Sequence, residues 1–129
     1  MKAKLLSLCV ALLTTFITNA QARLTIVNNS TRYMTVKVMR GTGKGLLHET
    51  VAIPGFSSET VYFSASGTYF TKSKAVLAKK EPVYKKGNSF RVTNDESGYS
   101  VLTLTFTIKE SAVVESSGQS ISKSEFDQN

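Results

Sequence analysis

From Arg32 to Arg40, and again from Tyr99 to Lys109, apolar and polar residues alternate with a period of two. No other feature constrains the fold as strongly. That period gives an extended strand one oily face and one wet face, and a helix, with its longer repeat, cannot use it. In the first run Met34, Val36 and Val38 face inward, and Tyr33, Thr35 and Lys37 face outward. In the second, Leu102, Leu104, Phe106 and Ile108 share one face, and Val101, Thr103, Thr105 and Thr107 the other.

Shorter runs repeat the pattern. Leu24 and Ile26 mark a first strand, Val61 and Phe63 a strand from Glu59 to Ala65, and Phe90 and Val92 one from Ser89 to Asn94. Leu46 to Ile53 carries Leu47, Val51 and Ile53, with Glu49 on the same face, which predicts an edge position or a bulge. Thr68 to Ala78 is irregular. Phe70 and Val76 share a face with Lys72 and Lys74, while Tyr69, Ala75 and Leu77 take the other. That predicts an edge strand with a bulge, or an alternation that slips after Lys74. Turn residues separate the runs: Asn28 to Thr31, Gly41 to Gly45, Pro54-Gly55, Ser66-Gly67, Gly87-Asn88 and Asn94 to Gly98. Asn28-Asn29-Ser30-Thr31 also spells two overlapping glycosylation sequons, and is read as the turn its residues favour. About seven strands at near-regular spacing predict an all-β chain: a single antiparallel β-sandwich of immunoglobulin-like type, with a small β-barrel as the alternative.

The first 22 residues do not belong to that pattern. Lys2 and Lys4 precede an apolar run from Leu5 to Ile17, and Ala20-Gln21-Ala22 supplies small residues for cleavage before Arg23. This is the pattern of an export signal. The expected organisation is a cleaved signal at 1–22, a sandwich domain at 23–110 and a flexible Ser-rich tail at 111–129. Ile121 and Phe126 are the tail's only candidates for docking. The expected location is periplasmic, or secreted to the cell surface, with a bacterial envelope as the setting. Cys9, the one cysteine, falls inside the apolar run and lacks the small upstream residue of a lipid-attachment site. The mature chain then has no thiol, hence no disulfide and no thiolate-bound metal. No transmembrane helix is expected in it.

Chemical motifs are scarce. His48 is the only histidine, so no histidine dyad or cluster can form. Asp95 and Glu96 read as a solvated turn, and nothing in the sequence brings Glu49, Glu59, Glu81 or Glu110 together in pairs. Gly41-Thr42-Gly43-Lys44-Gly45 lacks the spacing of a phosphate-binding loop and joins two strands. No catalytic residue, cofactor or metal site is expected, and the chain reads as a non-enzymatic protein.

Charge is the remaining lead. Loss of Lys2 and Lys4 takes the net charge from +7 to +5. Residues 72–91 hold Lys72, Lys74, Lys79, Lys80, Lys85, Lys86 and Arg91 against Glu81 alone, with Tyr84 among them. These eight residues, Tyr84 included and Glu81 excluded, are the candidate site. Cations beside aromatic faces suit an anionic polymer or surface, or a protein partner in the envelope. Export, and lysine in preference to arginine, argue against nucleic acid. The plainer reading of these lysines is an edge guarded against aggregation. A second functional reading is a structural or accessory subunit of a surface assembly, pairing through the strand at 99–109. The oligomeric state is not specified by the sequence.

Overall fold

The computed structural model describes residues 21–108, 110 and 118–129. The body of the expected signal, residues 1–20, lies outside them, as do Lys109 and residues 111–117. Strands dominate: β1 (Ala22–Asn29), β2 (Tyr33–Arg40), β3 (Leu46–Ile53), β4 (Ser58–Phe63), β5 (Gly67–Val76), β6 (Val83–Lys86), β7 (Phe90–Val92), β8 (Asn94–Asp95), β9 (Gly98–Tyr99), β10 (Val101–Thr107) and β11 (Gln119–Ser120). A single helical turn, α1 (Lys123–Asp127), follows.

One main sheet has the order β10-β1-β4 and the other β11-β6-β5-β2-β3, with β7 also pairing β5; β8 and β9 form a small third sheet. The chain is all-β, and its two main sheets face each other across one core. Leu24, Ile26, Val61, Phe63 and Phe106 come from the first sheet, and Met34, Val36, Val38, Tyr69 and Val92 from the second. The inward residues of both long alternating runs face this core, as their periodicity requires. One pairing departs from an antiparallel sandwich. β1 runs parallel to β10, from Arg23 opposite Val101 to Asn29 opposite Thr107.

The irregularity expected at Glu49 is present. β3 is an edge strand, and its register against β2 shifts so that Val38 faces Glu49 while Met39 faces Leu47. His48 is the extra residue. Its ring stacks on Phe63 with centroids 5.0 Å apart, and its Nε2 lies 3.0 Å from the Tyr62 carbonyl on β4. The bulge thus turns a polar residue across the gap and ties the two sheets at this side.

β5 differs from expectation. It is an interior strand, paired with β2 on one side and with β6 and β7 on the other, and its register against β2 is continuous. Tyr69 and Ala75 face the core without any slip, so Phe70, Lys72 and Lys74 fall together on the outer face. The lysines look like edge residues in sequence because what covers them is remote in the chain. The expected flexible tail likewise has a definite place where it is described. β11 pairs with β6, and Phe126 is buried. Few apolar residues suffice there, because the sheet supplies hydrogen bonds and an aromatic surface.

Two buried polar networks fix the turns. Asn28 is fully buried, and its Nδ2 donates to the carbonyls of Arg32, Ile53 and Pro54 at 2.7, 2.9 and 3.1 Å. Its Oδ1 accepts from Ser30 Oγ at 2.6 Å. Of the two sequons, the one at Asn28 is therefore inaccessible in the folded chain. Arg32, also buried, reaches Glu110 at 2.9 Å and the carbonyls of Ala75 and Glu81 at 3.1 and 2.8 Å. Ala22, the last residue of the expected signal, is buried opposite Phe63, so a chain starting at Arg23 would lack that contact.

Removing Asn28 strands three carbonyls and a hydroxyl, each costing about 1 kcal/mol or more when left unpaired. Asn28→Ala is expected to destabilise the chain by about 3 kcal/mol, read as a drop in the urea midpoint at unchanged slope. A change below about 1 kcal/mol would show that the network is not what holds this turn.

Candidate functional site

The outer face of the second sheet is built by register. Lys37 on β2 lies opposite Lys72 on β5, which lies opposite Lys86 on β6. Neighbouring strands are about 4.8 Å apart, so three cationic stems stand side by side. One row along, Thr35, Lys74 and Tyr84 line up. On the other side Met39 pairs with Phe70.

The segment 118–129 lies across these rows. Gln119 and Ser120 pair with Lys86 and Lys85, and the Ile121 amide donates to the Tyr84 carbonyl at 3.1 Å. Gly118 is required at the crossing. Its φ is +101°, and a Cβ there would sit 2.5 Å from the Lys86 carbonyl oxygen. Ser122 caps α1 by accepting from the Glu125 amide at 3.1 Å. Phe126 packs against Tyr84 with centroids 5.6 Å apart, and the Lys37 ammonium lies 4.7 Å from its ring centre.

The lysines hold this segment by its carbonyls. Lys37 Nζ donates to the Phe126 carbonyl at 2.9 Å and to Asn129 Oδ1 at 2.7 Å. Lys72 Nζ donates to the Glu125 carbonyl at 2.9 Å and to the Gln128 carbonyl. Last-turn carbonyls lack helical donors, and an ammonium group satisfies them well. Lys86 Nζ donates to the Gly43 carbonyl at 3.3 Å and lies 4.9 Å from the centre of the Phe70 ring.

None of these ammonium groups has a carboxylate within 4.0 Å among the described residues, where the ion pairs are Arg32–Glu110 and Lys123–Asp127. Lys72 is the sharpest case, with only 3% of its surface exposed. Burial pushes its ammonium below the ordinary lysine range, and the positive charge of Lys37 adds to the effect. Glu125 pulls the other way, too weakly to cancel it; Lys86 adds a smaller push downward, and Asp127 a weaker pull upward.

Beside this row a cleft of about 250 Å³ opens between the β2–β3 loop and α1. Lys44, Phe70, Lys72, Lys86, Glu125 and Gln128 are among its lining residues. Gly45 shapes the loop: its φ is +66°, and a Cβ there would meet the Phe70 ring at 2.7 Å. The glycine-rich loop thus serves as a strand connection that also carries Lys44 to the cleft.

The eight candidate residues do not form one patch. Lys72 and Lys86 share the row, and Lys74 and Tyr84 lie in the next. Lys85 reaches Ser120 Oγ at 3.0 Å. Lys79 and Lys80 are exposed in the turn before β6, beyond Val76, and Arg91 is exposed on β7. Lys37 and Lys44 belong to the site and lie outside the basic stretch in sequence. Only strand register and loop path bring them in. Among the described residues no three His, Cys, Asp or Glu side chains gather as metal ligands would, and no helix is long and apolar enough to cross a membrane.

Comparison with protein-family models, with curated proteins and with solved structures finds no match to this chain.

Proposed function

We propose that this chain is an exported, non-enzymatic binding module of a bacterial cell envelope, and that it contacts an anionic partner or surface through the outer face of its second sheet. The observation that carries the reading is the lysine row. Lys37, Lys72 and Lys86 are neighbours across three strands with no carboxylate partner among the described residues. Like charges placed side by side cost stability, and an opposite charge supplied from outside offsets that cost. Lys44 and Lys74 extend the positive field toward solvent, whereas Lys85, paired with Ser73, belongs to the opposite face of the sheet. Lys79, Lys80 and Arg91 lie away from the row and have the plainer role of solvated cations.

Retention on a sulfated-polysaccharide matrix tests this. Binding should weaken as salt rises. Neutralising Lys74 and Lys86 together to Gln should weaken it about fivefold, since each exposed pair contributes roughly 0.5 kcal/mol and about 1.4 kcal/mol is tenfold. Neutralising Lys79, Lys80 and Arg91 should change it less than about threefold. Retention that survives the first set contradicts the reading.

A second reading rests on a different feature. Among the described residues β10 pairs on one side only, with β1. Beside it an apolar gap of about 270 Å³ lies between the sheets, lined in part by Leu24, Phe90, Leu102, Leu104 and Phe106. Leu102 and Leu104 remain half-exposed there. An accessory subunit that adds a strand at this edge would cover them. Under this reading sedimentation shows concentration-dependent association, lost when Thr103 is changed to Pro. A monomer at every concentration contradicts self-assembly.

A further inference from the structure

We propose that the cleft between the β2–β3 loop and α1 is a pocket for a single phosphate- or sulfate-type group, with Lys72 at its floor and Lys44 and Lys86 at its rim. The proposal rests on the anion-binding reading above and names the ligand class of that site.

Lys72 carries the argument. An ammonium has three donors, and two of them serve the Glu125 and Gln128 carbonyls. Carbonyl dipoles satisfy hydrogen bonds but bring no net negative charge. A lysine with only 3% of its residue surface exposed is normally paired with an opposite charge, yet this one has no carboxylate within 4.0 Å among the described residues. Its cross-strand neighbours Lys37 and Lys86 add to the deficit, and the Glu125 carboxylate, in the same cleft but beyond 4.0 Å, offsets it only in part. A group bearing up to two negative charges, seated in the cleft, supplies what is missing.

The size agrees. At about 250 Å³ the cleft falls below the range of about 300–1,000 Å³ typical of drug-sized ligands, and suits one compact head. Lysine ammoniums serve as point charges for tetrahedral anions and do not require the flat fork of arginine. Lys44 is exposed, and so is free to close over a bound group. Glu125 lines the same cleft and opposes the ligand through its carboxylate. The group has two sources, a soluble or sugar-borne phosphate and a lipid headgroup, and the chemistry at the pocket is the same for both.

The test titrates the full chain with inorganic phosphate, following the backbone amides of Gly43, Lys44, Lys72 and Lys86 by NMR, with sodium chloride at matched ionic strength as control. The proposal requires saturable shifts confined to the cleft. It also requires at least about tenfold weaker binding in the Lys44→Gln, Lys86→Gln double variant, and two- to threefold tighter binding in Glu125→Gln. Both altered rim lysines leave the buried residues in place, so the result does not depend on whether a Lys72 variant folds. Glucose 6-phosphate and phosphatidic acid vesicles, used in parallel, separate the soluble source from the lipid one. Shifts no larger than those with chloride, or equal affinity in the double variant, overturn the pocket. If the pocket fails while matrix retention still depends on Lys74, the broader anion-binding reading stands without it. Loss of both overturns both.

Discussion

Burial of Lys72 beneath the C-terminal segment is the constraint on which the functional face depends. A charge can leave water only where other groups replace its hydration. Here the replacements are the carbonyls of Glu125 and Gln128. The same contacts hold α1 over the sheet, so one interaction places the C-terminal segment and forms one wall of the cleft. Lys37 repeats the arrangement with Phe126 and Asn129. Phe126 contributes the apolar share by packing on Tyr84. Withdrawing the segment would expose three neighbouring lysines and an aromatic surface together.

The frame beneath this face is assembled without a disulfide, since the only cysteine is Cys9. Side chains of both sheets supply the core, and Phe63 and Tyr69 meet edge to face with centroids 4.6 Å apart. Fully burying such rings contributes about 2–3 kcal/mol each. The two sides of the sandwich differ. At β3 and β4 the His48 bulge bridges the sheets. At β10 an apolar gap remains between them. The glycine-rich β2–β3 loop folds onto Phe70, which brings Lys44 beside Lys86.

Much of the fold is legible in the sequence, because period-two alternation is a local property. Met34, Val36 and Val38 face the core as their spacing dictates, and Glu49 on an apolar face correctly marks the disturbance in β3. β5 misleads for an equally physical reason. Lys72 and Lys74 resemble the guards of an exposed edge, and only residues more than fifty positions away reveal that Lys72 is covered. The C-terminal stretch misleads in the same way. Its serines and scattered charges lack a core of their own, but Gln119 and Ser120 need only a strand to pair with. The site is half legible. Lys72, Lys74, Tyr84 and Lys86 follow from local charge, whereas Lys37 and Lys44 enter through register and loop geometry that no local pattern encodes.

Whether Lys72 is withdrawn from water is decided by its side-chain titration, followed by NMR in the full chain. The expected midpoint lies below the ordinary lysine value of 10.5, with ammonium protons that exchange slowly with water. A midpoint at or above 10.5 with rapid exchange would place Lys72 in solvent and leave the C-terminal segment without its anchor.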